Sequence, residues 1–446
     1  MTAQRDLSNV IQNDLCIGCG ACVAAEPGLA LRLSAEKMMY EPSGPGGEAA
    51  ASVCPSVEAD TNRLQAMRFP GAPSTPVGVV EAILLAQSTD RERNLRSSSG
   101  GIIKELLLHY LESGQVDGAI ALSHQGGLLF QPALVTDARQ VDALPGSIYH
   151  NVPFDAALRL LKDNDGRFAL VATPCQLEGI YKYVFGVEPA LAGRIGVAIG
   201  LICGWTYTHH AVRAICHFKG AEFAGIRDIA FRGGDAVGSL RIQLPQKTLE
   251  VNRRRDFDYI VSFDRSFNIP RCHLCVNHVN FLADIVVGDA WLRRTARTRT
   301  GVSIVICRTE DSLKLVHDLE GRGRIRLAEA GEADVVESQG RDFTCGDFPY
   351  AYADYLARIG KYRPELTGPN RGAARPVSRR RVEHFRRENA HKVRLQRHGR
   401  YRRLWWRKVA ADLPRYAWRS LRKRAGRPSA PGQEGGVGAG VPGEFS

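Results

Sequence analysis

The stretch Phe168-Ala-Leu-Val-Ala-Thr-Pro-Cys-Gln176 decides the fold, because a short, continuous apolar run ends there in turn residues. The run from Ile195 to Ile202 has the same form and leads into Cys203-Gly204. A third run, Ala283 to Val287, leads into Gly288-Asp289. Such runs predict buried parallel strands, and open α/β sheets bind their ligands at the carboxyl ends of these strands. We therefore expect an α/β (α+β) fold with its chemistry at these strand ends.

Four cysteines accompany these strands. Cys175 and Cys203 follow the first two runs, and Cys272 and Cys275 form a Cys-x2-Cys pair just before the third. No single pair in this group is diagnostic. An isolated cysteine is more often a small buried hydrophobe, which is our interpretation of three others, Cys216, Cys307 and Cys345.

A denser group lies near the N-terminus, where Cys16, Cys19 and Cys22 share one short loop and Cys54-Pro55 follows after 31 intervening residues. A C-x2-C-x2-C triple with a distant Cys-Pro is typical of bacterial ferredoxins and predicts one four-iron four-sulfur (4Fe-4S) cluster. Gly18 and Gly20 let the loop wrap around it. Four thiolates also satisfy tetrahedral zinc, which is the alternative.

Arg96-Ser-Ser-Ser-Gly-Gly101 precedes apolar residues at helical spacing from Ile102 to Leu111, and Gly114 follows them. This pattern predicts a helix with a Ser/Gly start and a Gly stop. Free backbone N–H groups and the helix dipole at such a start favour a phosphate group. A simple helix cap is the alternative interpretation.

The net charge of +13 suggests a polyanion as partner until its location is examined. Between Arg371 and Arg427 there are 21 Lys or Arg residues and three acidic residues, a balance of +18. The first 370 residues hold 39 basic and 42 acidic residues, a balance of −3. The charge is therefore a property of one segment and says little about the chemistry.

Two features of the sequence indicate the cellular compartment of the protein. Residues 1–10 have neither a basic n-region nor an apolar h-region, so we predict no secretory signal. Eleven cysteines, an odd number in short-spaced groups, suit metal-ligand thiolates in a reducing compartment better than disulfides. We expect a cytoplasmic protein.

Taken together, these segments resemble the family of beta subunits of coenzyme F-420 (deazaflavin) hydrogenases and dehydrogenases, which includes 7-hydroxymethyl chlorophyll a reductase. The resemblance covers roughly residues 10 to 310, in the family's order. The motifs that carry it are the Cys16–Cys22 triple, Arg96–Gly101, Gly146-Ser-Ile-Tyr149, Thr173–Gln176, Gly200–Gly204, Cys272–Cys275 and Ala283–Asp289.

The resemblance implies FAD held by Arg96, Ser97, Ser98, Ser99, Gly100, Gly101, Ser147 and Tyr149. It also implies a second 4Fe-4S cluster on Cys175, Cys203, Cys272 and Cys275. Two positions depart from the family pattern. Ile148 stands where many relatives have lysine, and Asn277 stands where relatives often have aspartate.

The expected organisation is a ferredoxin-type module (1–66), a flavin-binding region (77–158), a domain with the second cluster (159–350) and a basic helical tail (371–446). The implied function is an oxidoreductase that passes electrons from a ferredoxin-like donor or partner subunit through two 4Fe-4S clusters and FAD to a two-electron acceptor. That acceptor would be a small molecule, such as a deazaflavin coenzyme or a conjugated organic compound. The sequence also allows a non-catalytic electron-relay subunit and, in another class, a zinc-containing nucleic-acid binder.

The tail carries a stripe at steps of four residues, Tyr401, Trp405, Val409, Leu413, Ala417 and Leu421, surrounded by Arg and Lys. Pro414 would break or kink this helix. A basic helix of this kind suits an anionic membrane surface on the inner face. Docking on the protein's own body or on a partner is equally compatible, and nucleic acid is less so. Residues 428–446 are predicted to be disordered.

Overall fold

The computed structural model describes residues 6–233, 238–296, 298 and 300–412. Within those ranges no helix combines the length and the apolar character needed to cross a bilayer.

The strands in the described ranges are, in chain order, β1 (Ala30–Leu33), β2 (Tyr40–Ser43), β3 (Glu58–Asp60), β4 (Ser74–Thr75), β5 (Gly78–Val79), β6 (Ala82–Ser88), β7 (Gly118–His124), β8 (Phe130–Val135), β9 (Phe168–Ala172), β10 (Ile195–Leu201), β11 (Asp228–Ala230), β12 (Ser239–Gln243), β13 (Thr248–Asn252), β14 (Ile285–Asp289), β15 (Ser303–Cys307), β16 (Ile325–Ala330) and β17 (Glu365–Thr367). The helices there are α1 (Leu7–Gln12), α2 (Ala21–Ala25), α3 (Glu48–Ser52), α4 (Thr61–Arg68), α5 (Arg91–Arg96), α6 (Ile102–Glu112), α7 (Ala156–Asp163), α8 (Pro174–Gly186), α9 (His210–Phe218), α10 (Phe257–Ser262), α11 (Glu310–Gly321), α12 (Glu332–Gln339), α13 (Arg341–Thr344), α14 (Asp347–Arg358), α15 (Arg379–Arg397) and α16 (401–412).

An eight-stranded mixed sheet forms the centre, in the order β16-β6-β15-β14-β10-β9-β7-β8. Strands β7, β9, β10 and β14 run parallel to one another. The strands outside them pair antiparallel. The parallel strands predicted from the apolar runs are therefore confirmed, and their carboxyl ends meet at one edge of the sheet.

Helices cover both faces of this sheet, which explains the continuous apolar runs. Ala169, Val197 and Ile199 pack against α6 and α11 on one face. Leu170 and Ala198 point the other way and pack against α7 and α8. Strands buried on both sides have no polar face, so they show no polar alternation.

The regions 77–158 and 159–350, expected as successive units, build this sheet together. Strands β6 to β8 come from the first region, and β9, β10 and β14 to β16 come from the second. Strand β6 enters the sheet between β15 and β16. The N-terminal part is tied to the distant chain as well, because β3 pairs with β17.

The described part of the basic tail docks on the protein's own body. Tyr401 and Leu404 are buried, and the Tyr401 hydroxyl lies 2.8 Å from Nδ1 of His210. Trp405 donates its indole N–H to Asp258 at 2.9 Å, whereas Trp406 is 65% exposed. The sequence allows the stripe of apolar residues in the tail to bind a membrane, a partner or the body of the chain. Residues 379–412 contact the body of the chain. Leu413, Pro414, Ala417, Leu421 and the end predicted to be disordered, 428–446, lie outside the described residues.

Candidate functional site

The carboxyl edge of the parallel strands carries two of the predicted thiols. Strand β9 ends at Ala172, and Cys175 follows in the first turn of α8. Thr173 caps that helix through a capping box with Gln176, which fixes the turn between strand and helix. Cys203 follows β10 two residues after its end.

The other two thiols of this set reach the same place from a loop. Cys272 lies in a short 3-10 helix, Pro270–Leu274, and Cys275 directly follows that helix. The backbone N–H of Thr206, just beyond Cys203, donates to Sγ of Cys272 at 3.4 Å. Burial raises the pKa of Cys203 well above its usual value, and the neighbouring Cys175, Cys272 and Cys275 raise it further. The four cysteines therefore lie within electrostatic range of one another.

The N-terminal cysteines lie on a loop that two glycines shape. Gly18 and Gly20 adopt positive φ angles of 74° and 76°. A Cβ atom at Gly20 would lie 2.2 Å from Cα of Asp155, so only glycine fits there. The loop leads directly into α2, which contains Cys22.

These four thiols, Cys16, Cys19, Cys22 and Cys54, are all buried. Burial raises their pKa values, to about 12 at Cys22, and the neighbouring thiols raise those of the first three further. Backbone N–H groups oppose the rise by donating to the sulfurs, as Gly18 does to Cys16 at 3.4 Å. Such donors favour the thiolate form that a metal site requires.

Across the described ranges, no three His, Cys, Asp or Glu side chains converge closely enough to hold a single metal ion. A cubane cluster binds its thiolates at four separate corners instead. The three remaining cysteines behave as expected for small hydrophobes. All three are buried: Cys216 lies in α9, Cys307 in β15 and Cys345 just before α14.

The predicted Ser/Gly helix start is confirmed as the N-terminus of α6, with Gly101 in the left-handed conformation before it. Ser97, Ser98, Ser99 and Gly101 line a cleft at the carboxyl edge of the sheet. The side chain of Ser303, at the start of β15, holds this segment in place by accepting the Gly100 N–H at 2.9 Å.

Ser147 and Tyr149 face the same cleft from the opposite segment. The Ser147 N–H donates to Oγ of Ser98 at 2.6 Å, which links the two predicted flavin-binding segments. Ile148, the position at which the family pattern implies a lysine, also lines the cleft. A cation is nevertheless close, because the Arg253 guanidinium lies 5.2 Å from the centre of the Tyr149 ring.

Two predicted flavin-binding residues lie differently. The Arg96 side chain is 65% exposed, pairs with Glu92 at 2.6 Å and is not among the residues that line the cleft. Gly100 faces the sheet, where a Cβ atom would lie 2.6 Å from the carbonyl oxygen of Ala86. The cleft is therefore formed by the serines and Gly101, without these two residues.

Sequence reasoning gave no role to an ion pair in the cleft. Arg232, only 6% exposed, donates to Asp289 at 2.6 Å, and both residues line the cleft. Asp289 is visible in the sequence at the end of an apolar run. Arg232 gives no such signal, because it follows the short strand β11 of a separate small sheet.

Buried charges between the cysteine sets were also missed. Glu178 and Lys182 lie on α8 at three and seven residues after Cys175, a spacing that places all three on one helix face. Arg271 directly precedes Cys272 and is 3% exposed. The spacing on α8 was a usable signal, because it places two charged residues on the helix face that carries Cys175.

Asn277 has a structural explanation. Its Nδ2 donates to Oε1 of Glu178 at 2.8 Å, and its Oδ1 accepts the Phe281 N–H at 2.8 Å. Burial raises the pKa of Glu178. An aspartate at 277 could not donate to Glu178, so the amide suits this carboxylate neighbour.

The cleft brings the predicted site residues together. Its lining includes Cys175, Cys203 and Cys272 of the second set as well as the serines, Tyr149 and the Arg232–Asp289 pair. Ile17, from the loop of the first set, also reaches it. Three thiols of the second set therefore line this cleft, and the loop of the first set reaches it through Ile17.

Two family models match this chain. The model for the N-terminal part of the coenzyme F-420 hydrogenase/dehydrogenase beta subunit matches residues 83–159, and the model for its C terminus matches residues 165–333. Together they span more than half of the chain and include the central sheet, the cleft and the second cysteine set.

Three relatives have low sequence identity to this chain, but each aligns with more than half of it. A subunit of the F(420)H(2) dehydrogenase of Methanosarcina mazei is 25% identical over 76% of this chain and 96% of its own length. A coenzyme F-420 hydrogenase beta subunit of Methanococcus voltae is 24% identical over 59% of this chain and 96% of its own length. The coenzyme F-420-dependent sulfite reductase of Methanocaldococcus jannaschii is 21% identical over 72% of this chain and 49% of its own length.

A solved structure shares the fold. A chain of the F-420-reducing [NiFe] hydrogenase complex from Methanosarcina barkeri superposes with a TM-score of 0.52 at 17% identity, covering 66% of this chain and 98% of that one. The overall fold thus recurs in a chain of that complex. On the strength of the two family models, this chain belongs to the family of coenzyme F-420 hydrogenase/dehydrogenase beta subunits.

Proposed function

We propose that this chain is an iron-sulfur flavoprotein oxidoreductase that passes electrons between a one-electron donor and a two-electron acceptor. The observation that carries this proposal is the shared cleft. Thiols of the second set line the same cavity as the serines and the tyrosine of the proposed flavin site. The names of the relatives, dehydrogenase and hydrogenase subunits and a reductase, agree with this class of reaction.

The residues present fit two 4Fe-4S clusters. Each set offers four thiols within electrostatic range of one another, with backbone or hydroxyl donors to sulfur. Metal binding to such thiols displaces their protons, so cluster assembly should depend on pH. Cys16, Cys19, Cys22 and Cys54 would hold one cluster, and Cys175, Cys203, Cys272 and Cys275 the other.

The cleft fits FAD through its serines and the N-terminus of α6. The first turn of this helix presents backbone N–H groups toward the cleft, where Ile102 and Ile103 are among the lining residues. These groups and the hydroxyls of Ser97, Ser98 and Ser99 would bind the pyrophosphate. Tyr149 would pack beside the flavin's ring system.

When bound, a flavin converts single electrons from clusters into the two-electron hydride chemistry of an organic acceptor. The residues of the chain position and shield that chemistry. Arg232 and Asp289 form an ion pair at the cleft wall, which fixes a hydrogen-bond donor and an acceptor there for a polar group on the acceptor or on the cofactor.

An electron-relay subunit of a larger complex is the second candidate. The printed names of two relatives describe subunits, and the structural neighbour comes from a hydrogenase complex. The two functions differ in whether the isolated chain reduces a small-molecule acceptor. Steady-state reduction of a deazaflavin by the isolated, reduced chain supports the enzyme, and its absence with all cofactors present supports the relay.

The first experiment is anaerobic purification followed by iron, sulfide, zinc and flavin analysis. We expect about eight irons, eight sulfides and one FAD per chain, as two 4Fe-4S clusters and one flavin require. Zinc without iron and flavin would overturn the proposal and favour the nucleic-acid-binding alternative.

The point of electron entry has its own test. We propose that electrons from a reduced ferredoxin enter at the N-terminal set. In a Cys16→Ser, Cys19→Ser double variant, flavin reduction by ferredoxin should slow strongly, while direct reduction by dithionite persists. Flavin reduction by ferredoxin at the wild-type rate would show that electrons enter elsewhere.

A further inference from the structure

Arg271 lies between the two cysteine sets and connects their loops. One Nη group donates to the carbonyl oxygen of Leu274, directly before Cys275, at 2.8 Å. The other donates to the carbonyl oxygen of Pro55, directly after Cys54, at 3.3 Å. A single side chain thus joins the loop of each proposed cluster site.

The positive charge of this guanidinium has no carboxylate at ion-pairing distance among the described residues. Both Nη groups donate to backbone carbonyls, and Nε has no hydrogen-bond partner there. Glu178 interacts with Arg271 electrostatically, but its hydrogen bond goes to Asn277. A buried charge is costly unless something compensates it. The position therefore requires negative charge nearby.

Contacts place this charge beside both cysteine sets. Arg271 directly precedes Cys272, and its hydrogen bonds reach the residues next to Cys275 and Cys54. The hydrogen bonds of Lys182 go to the first set, where its Nζ donates to the Cys54 carbonyl at 3.5 Å and to the Glu58 carbonyl at 2.7 Å.

On the proposed function as its basis, we infer that Arg271 is the shared counter-charge of both cluster sites and fixes their loops side by side. Clusters ligated by four thiolates are anionic, and each gains one further negative charge on one-electron reduction. A fixed cation favours the reduced form, so it raises both reduction potentials together. Arg271 is in this sense a positioning and tuning residue for electron transfer between the two sites.

The test is a redox titration of the holoprotein with dithionite, followed by electron paramagnetic resonance of the reduced clusters. In Arg271→Gln both midpoint potentials should fall, by at least a tenfold change in each reduction equilibrium, which is 59 mV for a one-electron couple. Arg271→Lys keeps the charge and should stay within a few-fold of the wild type. Lys182→Gln should lower only the midpoint of the N-terminal cluster.

Arg265→Gln is the matched control. Arg265 is exposed, lies six residues earlier and stacks on Trp205 at 4.9 Å. We expect it to leave both midpoints unchanged. Unmoved midpoints in Arg271→Gln, or an equal fall in Arg271→Lys, would overturn the inference.

Failure to load the clusters is also informative. If Arg271→Gln binds no iron, iron retained by Arg271→Lys supports a requirement for the charge, and iron lost from both overturns it. Wild-type protein without two clusters would refute the proposed function itself, an outcome distinct from unmoved midpoints in a fully loaded variant.

Discussion

The two cysteine sets make the same number of thiols available in opposite ways. The first set takes three thiols from seven consecutive residues and the fourth from residue 54. The second set takes its thiols from the ends of two strands and from a loop some seventy residues further on. The first is a local loop that needs its glycines, and the second exists only when the sheet has folded. A local set is visible in sequence, whereas a distributed set is a property of the fold.

Different contacts hold the two sets. Around the second set, Asn280 donates to the carbonyl oxygens of Ala172 and Leu201, which end β9 and β10. Arg308, only 3% exposed, donates in turn to the Asn280 and Val279 carbonyls at 3.2 and 2.7 Å. The second set thus depends on buried polar side chains that tie the ends of its two strands together.

The largest effect should come from removing one thiol of each set. Cys19→Ser should lose about four of eight irons and keep the second cluster, and Cys203→Ser should do the reverse. Iron analysis and electron paramagnetic resonance of the reduced proteins measure both outcomes.

Cys216→Ala provides the control for these variants. It removes a buried thiol in α9 that belongs to neither set, so iron should stay at the wild-type level. Equal iron loss in all three variants would show that thiol removal acts through general destabilisation.

Arg308→Met should damage the second set more than the first. It leaves the carbonyls of Val77, Val79, Val279 and Asn280 without this buried donor. We expect a loss of about 3–5 kcal/mol in the free energy of unfolding, together with loss of the second cluster. Denaturant unfolding and iron analysis test it.

Arg322→Met is the matched control, because Arg322 is exposed, directly follows α11 and pairs with Asp318 four residues earlier. Its cost should be below about 1 kcal/mol. If Arg308→Met lost the first cluster in preference to the second, the second set would not depend on Arg308 in the way we propose.

The sequence predicted the elements of the central sheet better than their arrangement. The apolar runs gave β9, β10 and β14 within two residues of their observed ends, because strands buried on both faces need uninterrupted apolar side chains. Two successive regions of the chain turned out to share one sheet, with β6 inserted between β15 and β16. Such long-range pairing leaves no periodic signal in either strand.

The candidate site shows the same limit. The N-terminal triple could be recognised from spacing alone, whereas the second set needed resemblance to a family. Arg232, Arg271 and Arg308 escaped notice, because a buried arginine looks like any other arginine until the fold surrounds it. The basic tail illustrates the converse: a stripe that suited a membrane surface packs, as far as the described residues reach, on the body of the chain.

Gly20→Ala should act on the first set with a smaller effect. The residue has a φ angle of 76°, and a Cβ atom there would clash with the backbone of Asp155. Strain and clash together should cost about 3 kcal/mol and lower the iron content of the first site only.

Gly28→Ala separates strain from clash. Gly28 has a φ angle of 92°, but a Cβ atom there meets nothing within 4 Å. We expect a cost of about 1–2 kcal/mol without loss of iron. Equal iron loss in both variants would mean that the close approach of Asp155 plays no part.

The last effect concerns acid and again divides the two regions. His209 and His210 face the N-terminal part of the chain. The backbone N–H of His209 donates to the carbonyl oxygen of Met38 at 2.7 Å, and ring atom Nε2 of His210 lies 3.0 Å from the carbonyl oxygen of Glu36. Burial lowers the pKa of both imidazoles to about 4. In the unfolded chain they titrate near 6.5, so the unfolded state binds more protons between these values. The free energy of unfolding should therefore be unaffected above pH 7 and fall by about 1–2 kcal/mol per histidine as the pH drops to 5.

Hydrogen exchange, corrected for intrinsic rates, can locate this loss of stability. If the histidines anchor the N-terminal part, protection of the β1–β2 hairpin should fall between pH 7 and 5 before protection of β9 and β10. His210→Asn should reduce that pH dependence by the contribution of one histidine, because other buried imidazoles with lowered pKa values, among them His150, His209, His273 and His278, remain. If protection of the β1–β2 hairpin and of β9 and β10 fell in parallel, the regions that carry the two cysteine sets would unfold as one cooperative unit that includes both histidines.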